Sequence, residues 1–596
     1  MNSRDSRDNR GRPRSSSRRP AYRTHTRSSS YDEERAARRG ASGTPRRGNA
    51  RIPLLLVALF ALVAVRLVWL QVIDAPRLSA KASSLYSANV TIQAKRGTIY
   101  DRNGNVLATS VECRTLYCNP EEISDKNAVA DVLADKLGGN ASDYLSTLSQ
   151  NTTFAYLSRQ VDTDIATDIT NTLAQKNLTG VYALTDVKRV YPYGEVGGQV
   201  LGFIGTDGHG LSGLELQYDD VLSGTDGEML MERGRDGTPI AGGASEIHEA
   251  KDGTDIIISL DVNVQRVAEE QLTQAMDGTE AKSGNVVVTE PKTGEILAAC
   301  SWPLFDPTDS STLSNDALKL MSVSDSYEPG STFKTLTMAI GYETGTINKN
   351  STFTVPAEVT VGDDKVTDDD GRDYTMDMTP TEIMRRSSNA GAAMVGMTIG
   401  ADKFSEGIAS FGIGQKTGID FPGESAGIVP SRDEYTGATT GAASFGQGIA
   451  FPSIQLVRAI GAIANKGTML TPHFLVQKGG EKVDWGEGAQ VVSAETCENV
   501  IGDLREVVLD GTGTNAQIAG YDVVGKTGTG QQALDTGGYL DDSFLSSFIG
   551  FANGEDASAL CYIGVYGTSY HGSAVAKPFS AIMSEALTDL NVPKDN

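Results

Sequence analysis

Ser331 and Lys334 stand three residues apart in the stretch Tyr327-Glu328-Pro329-Gly330-Ser331-Thr332-Phe333-Lys334. Pro329-Gly330 closes an irregular segment, and Ser331-Thr332 can open a helix that runs on through Leu336, Met338, Ala339 and Ile340. On such a helix residues i and i+3 share a face, so the hydroxyl and the amine sit about one turn apart. A serine beside an amine that is held neutral is an activated nucleophile. An N-cap serine followed by a surface lysine has the same spacing, so the pair needs partners elsewhere in the chain.

Two other triplets offer them. S-x-N begins at Ser87, Ser149, Ser283 and Ser387, and K-T-G begins at Lys292, Lys416 and Lys526. Only Ser387-Ser388-Asn389 lies between Ser331 and the last K-T-G. It ends the helical pattern Thr381 to Arg386, where polar side chains can face a cleft. Lys292 reads as a hairpin turn and Lys416 follows a glycine-rich loop. Lys526 instead follows the β-type run Tyr521-Asp522-Val523-Val524 and leads into Thr527-Gly528-Thr529. A strand carrying a lysine, two hydroxyls and a bare glycine suits an extended peptide carboxylate laid along a sheet edge. Gly520 to Thr527 also fits a phosphate-loop pattern, but its loop positions read as strand and no helix start follows, which argues against a nucleotide site. Five isolated histidines supply no H-E-x-x-H and no triad base, which leaves acid–base work to lysine. The five cysteines are scattered without metal spacing; only Cys113 and Cys118 are close, and the set reads as structural. No metal and no cofactor is called for.

The elements that must hold these residues come from a chain of 596 residues, enough for two to four domains. Its net charge of −24 is uneven: residues 1–51 hold fifteen arginines against five acids, about +10, so the remainder carries about −34. Residues 1–50 are rich in arginine, serine and glycine and should form a disordered arm. Residues 51–73 follow as a stretch of about the twenty apolar residues that cross a bilayer. Arginines crowd one end only, which places the arm in the cytoplasm and the rest outside, at the cell membrane, and removes the need for a nucleic-acid partner. A cleaved signal peptide would have a shorter basic region and a small-residue cleavage site.

Beyond the span, Thr91 to Ala108 reads as two strands around an Asn-Gly turn, and 120–180 as helical patterns between polar loops. A glycine-rich run from Gly224 to Gly243 precedes a boundary near 250. Then come a strand over Thr254 to Leu260, a helix from Asn263 to Met276, and strands over Asn285 to Thr289 and Glu295 to Ala299. The mixture, without repeats, is an α+β pattern.

Taken in order, Ser331-x-x-Lys334, Ser387-x-Asn389 and Lys526-Thr527-Gly528 resemble the active-site set of penicillin-binding proteins and serine β-lactamases. Arg96-Gly97-Thr98-Ile99-Tyr100-Asp101-Arg102-Asn103-Gly104, Gly213-Leu214-Glu215, Lys292 to Ala298, Ser444-Phe445-Gly446-Gln447-Gly448 and Gly511-Thr512-Gly513-Thr514 resemble segments of the class B penicillin-binding proteins. The resemblance implies a single-pass anchor, an elongated α+β pedestal of the dimerisation type at 74–250, and a transpeptidase domain with an antiparallel sheet and helices at 251–591. It implies a peptidoglycan D,D-transpeptidase that cross-links stem peptides through an acyl-enzyme on Ser331 and is inhibited by β-lactam antibiotics. Lys334 would be the base, its pKa lowered by burial and by Lys526; Ser387 would relay a proton to the leaving amine. Asn389 would fix Lys334 and the substrate amide. Lys526, Thr527 and Thr529 would hold the terminal carboxylate, with Gly528 admitting the peptide closely. The oxyanion would sit between the N–H groups of Ser331 and Thr529. A partner glycan-strand polymerase and division proteins follow from the family, with a septal lean. A non-catalytic scaffold of the wall-synthesis complex and a D,D-carboxypeptidase are the alternatives.

Overall fold

The computed structural model describes residues 51–78, 87–152, 155–232, 246–533, 539–552 and 556–594. The expected arm at 1–50 and most of the glycine-rich run after Gly224 lie outside them. The chain divides into two units, Met1–Leu85 and Tyr86–Asn596. In the first, Arg51–Val68 is an α-helix that passes into a π-helical turn, Trp69–Ile73. The window Leu54–Ile73 is long and apolar enough to cross a membrane, and none of it is buried in protein.

The second unit is built on two sheets. Five antiparallel strands run in the order Ile296–Trp302, Ser283–Thr289, Leu560–Thr568, Tyr539–Ala552, Val523–Ala533. Val286 and Val288 pack into one apolar cluster and Val287 into the other, so the sheet is covered on both faces. That is why this strand reads as a continuous apolar run rather than an alternation. One face takes the helices Val262–Thr279 and Ala576–Asp589 through Ala268, Leu272, Phe579, Ile582 and Met583. Asp261 starts the first of these helices by accepting from the N–H groups of Asn263 and Val264. The other face takes the helix Lys334–Glu343, buried nearly all round, with Leu336, Met338 and Ile340 in the core. Each of those side chains contributes roughly 1.5–3 kcal/mol by leaving water.

The second sheet has the order Glu481–Lys482, Leu475–Lys478, Ile256–Ile258, Ile99–Tyr100, Val106–Cys118, Ala155–Asp162, with Val181–Val190 also paired to Val106–Cys118. Ile99–Tyr100 lies parallel to Ile256–Ile258, so this sheet takes strands from both sides of residue 250. A third apolar cluster is built around Leu116, Val129, Leu133 and Ile169. Apart from the parallel pair Ile99–Tyr100 and Ile256–Ile258, the strands among the described residues pair antiparallel, as suits an α+β fold. The strand Ala155–Asp162 falls where helices and loops alone were expected; only Ala155 and Val161 of it are buried, so its sequence carries little apolar alternation. Cys113 and Cys118 are both free and buried on one strand, five residues and so roughly 16 Å apart along it, too far to pair.

Candidate active site

The helix that carries Lys334 begins one turn later than its sequence suggests. Gly330–Phe333 is a 3₁₀ turn that leads into Lys334–Glu343. The Thr332 hydroxyl donates to the Pro329 carbonyl at 2.8 Å and tightens this entry. Gly330 has φ +57° and Gly446 φ +84°. A Cβ on Gly446 would stand 2.2 Å from the Gly330 carbonyl oxygen, so the Ser444–Gly448 segment abuts the nucleophile turn backbone to backbone. The Gly330 N–H donates to the Gly446 carbonyl at 3.1 Å.

Three elements converge on the resulting pocket of polar atoms. Lys334 Nζ donates to Ser331 Oγ at 2.9 Å, to the Ser387 carbonyl at 2.6 Å and to Asn389 Oδ1 at 2.6 Å. Ser387 caps the helix Pro380–Arg386 in a left-handed conformation, φ +58°, uncommon for a residue with a Cβ. That turn aims its hydroxyl between the two lysines: Lys526 Nζ lies 2.9 Å from Ser387 Oγ and Lys334 Nζ 3.3 Å. Ser388, next in line, points inward instead; it caps Asn389–Ile399 and donates to Asp368. Lys526, Thr527, Gly528 and Thr529 occupy the edge strand Val523–Ala533. A phosphate loop is thereby excluded, because Val523 to Thr527 are paired strand residues. Lys526 Nζ also donates to Thr527 O at 3.0 Å. The two other K-T-G lysines lie elsewhere: Lys292 pairs with Asp556 in the turn after Ser283–Thr289, and Lys416 is exposed.

Both amines are fully buried, and burial disfavours an ammonium. Lys334 falls to about 8, chiefly through burial, while Asp369 and Asp368 work in the opposite direction. Lys526 is held well below its ordinary range by burial first and by the charge of Lys334 second. The causes acting on Lys334 are thus burial and the two aspartates, and the two neighbouring amines titrate as a pair. Gly528 is also crowded from within the protein. A Cβ there would lie 2.3 Å from Ser547 Oγ and 2.8 Å from Thr332 Cγ2, so its bareness admits the nucleophile turn and the adjoining strand.

Residues that no motif assigned a role also meet here. Thr512 of the Gly511–Thr514 segment shares a 2.6 Å hydrogen bond with the Thr527 hydroxyl. The Gly572 N–H donates to Thr529 Oγ1. Asp368 is buried and accepts from Ser388 Oγ, Ala390 N and Arg372 Nη2, which keep its carboxyl below the usual range despite burial. The only signal for Asp368 and its neighbour was the run Asp368-Asp369-Asp370, which looks like a solvated loop.

A nucleophile in contact with a buried amine, beside a sheet edge that offers a second amine and hydroxyls, can form and release an acyl ester. Residues 284–584 match the penicillin binding protein transpeptidase domain and residues 91–258 the penicillin-binding protein dimerisation domain. The chain is 32% identical to penicillin-binding protein PbpB of Mycolicibacterium smegmatis, over 95% of this chain and 94% of that protein. It is 28% identical to the peptidoglycan D,D-transpeptidase FtsI of Escherichia coli, over 91% of each. The structure of penicillin binding protein 3 from Mycobacterium tuberculosis complexed with aztreonam matches with a TM-score of 0.66 at 27% identity, covering 85% of this chain and 98% of that one. The apolar helix and these relatives together support a single-pass membrane protein. Two domain matches in sequence order, and relatives aligned along nearly their whole length, show that the chain belongs to the class B penicillin-binding proteins.

Proposed function

We propose that this protein is a peptidoglycan D,D-transpeptidase that cross-links stem peptides through a Ser331 acyl-enzyme. The observation that carries the reading is the 2.9 Å contact between Lys334 Nζ and Ser331 Oγ in a buried site shared with Ser387, Asn389 and Lys526. Ser331 Oγ attacks the penultimate D-Ala carbonyl of a donor stem peptide, and its proton passes to neutral Lys334. The oxyanion is held by the N–H groups of Ser331 and Thr529; one such donor is worth a factor of about 10²–10³. The C–N bond breaks as Ser387 relays a proton to the departing D-Ala amine, leaving an ester on Ser331. An amine of a neighbouring stem peptide then attacks the ester, loses a proton to the same relay and frees Ser331.

Lys526 with Thr527 and Thr529 binds the terminal carboxylate of the donor. That carboxylate favours the charged form of Lys526, and charge on Lys526 in turn disfavours charge on Lys334. Substrate binding thus readies the base. β-Lactams occupy the donor site and acylate the same hydroxyl. The arginine-rich end lies in the cytoplasm and residues 74–591 outside, with the pedestal at 74–250 and the transpeptidase domain at 251–591. A membrane-bound polymerase supplies the glycan strands, and the working context is division, at the septum.

Intact mass spectrometry of the membrane-extracted protein with benzylpenicillin tests the reading. One adduct per chain is expected, absent in Ser331→Ala. A folded wild-type protein that takes no adduct would overturn the enzyme reading in favour of a scaffold. Release of free D-Ala without cross-linked product in the presence of an acceptor amine would make it a carboxypeptidase.

A further inference from the structure

Three consecutive aspartates follow the hairpin Glu358–Val361 and Asp364–Thr367, and each meets a different partner. Asp368 is buried on Arg372, with Nη2 3.0 Å from its Oδ2, and Asp370 pairs with Arg386 at 3.2 Å. Asp369 between them is exposed and accepts a hydrogen bond from Asn389 Nδ2 at 3.2 Å. The loop that presents it is held on both sides. Arg372 also donates to the carbonyls of Val355 and Pro356, and Asp368 accepts from Ser388 Oγ and Ala390 N, at the first turn of the Asn389 helix.

The side-chain amide of Asn389 has two ends of nearly equal shape and opposite polarity. In the observed orientation Oδ1 receives Lys334 Nζ at 2.6 Å and Nδ2 faces Asp369. The reversed orientation would set Nδ2 against the amine of Lys334 and Oδ1 against a carboxylate, two unfavourable contacts in place of two hydrogen bonds. The Thr367 carbonyl, 3.4 Å from Nδ2, helps only weakly at that distance.

We infer that Asp369 is a positioning residue for the acyl transfer: its carboxylate locks the Asn389 amide so that Oδ1 orients Lys334 toward Ser331. The inference rests on the acyl-enzyme reading above. It also predicts a separable charge effect. The charged groups facing Lys334 are Asp369 and Asp368 from this loop and Lys526 from the edge strand, and the two carboxylates oppose the burial that lowers Lys334. Removing the Asp369 charge therefore moves the proton off Lys334 at lower pH.

The test is the second-order rate of benzylpenicillin acylation between about pH 6 and 9.5, with melting temperature measured alongside, for wild type, Asp369→Asn and Asp369→Ala. Asp369→Asn keeps an acceptor for Asn389 Nδ2 and loses the charge, so its rate should stay within about twofold at the alkaline plateau with the rising limb shifted to lower pH. Asp369→Ala loses both. It should fall about tenfold at the alkaline plateau, a part of the 10²–10⁴ that a positioned base is worth, with the same shift of the limb and an unchanged melting temperature. Wild-type rates and profile in Asp369→Ala would overturn the inference, as would equal slowing in both variants with no shift of the limb. A wild-type protein that forms no adduct would instead sink the acyl-enzyme reading beneath it.

Discussion

In the region that matches the dimerisation domain, the side chains of Arg96 and Arg189 close on the two oxygens of Glu215, and all three are almost completely shielded from water. Arg96 reaches Asp219 as well, and both arginines donate to backbone carbonyls. Beside Ser331, Lys334 and Lys526 are buried as deeply, yet no carboxylate lies within ion-pair distance of either among the described residues. Their acceptors are hydroxyls, an amide and carbonyls. Opposite charges packed together recover much of the cost of leaving water, whereas burial, and for Lys526 also the charge of Lys334, disfavours the charged form of each amine. The Glu215 cluster can thus be read as structure, and the Lys334 cluster as a store of desolvated nitrogen with weakened hold on its protons, which is what proton transfer needs.

Exchanging the groups should break the symmetry between the two regions. Lys334→Met removes the base while filling the same space, and acylation by benzylpenicillin should fall by about 10²–10⁴ with the melting temperature held or raised. Intact mass time courses and calorimetry check both halves. A melting temperature that drops steeply would mean that the cleft amine is structural after all. Glu215→Gln is the counterpart: it leaves the buried Arg189 without a carboxylate and Arg96 with Asp219 alone, and should cost roughly 3–5 kcal/mol of stability, read by denaturant unfolding, while the folded fraction still acylates at the wild-type rate. An unchanged midpoint would show that water reaches this cluster.

The smallest effect is in pH. Acylation should rise with pH through a midpoint near 8, where Lys334 loses its proton, and level off above it. Stability should also rise, and the sign follows from proton counts: between about 8 and 10.5 the unfolded chain holds a proton on residue 334 that the folded chain has released, so raising pH through that window favours the fold. Lys334→Met should erase that part of the slope, and a slope that persists would place its origin elsewhere.

Lys526 was legible because a β-type run precedes it and a strand cannot cradle a phosphate; choosing it among three K-T-G triplets needed only local pattern. Ser331 was legible only in company, since its spacing to Lys334 is equally that of a helix cap. Ser387 was found by order along the chain, but the left-handed turn that aims its hydroxyl was not, because serine is not a residue that announces positive φ. Gly528 was read for the peptide it would admit, but the Thr332 and Ser547 side chains that crowd it were not legible, because no local pattern reports neighbours from another element. The strand Ala155–Asp162 escaped for a similar reason, its pairing with Val106–Cys118 being set by tertiary contact more than by its own apolar content.

The parallel pairing of Ile99–Tyr100 with Ile256–Ile258 has a practical consequence for anyone cutting this chain. A fragment starting at residue 251 would begin a few residues before a strand whose neighbour had been removed. Ile256 and Ile258, both fully covered in the whole protein, would then border a new open edge of unpaired N–H and C=O groups, a template for joining one fragment to the next. Such a fragment should self-associate as its concentration rises, and one that starts ahead of Arg96 should not.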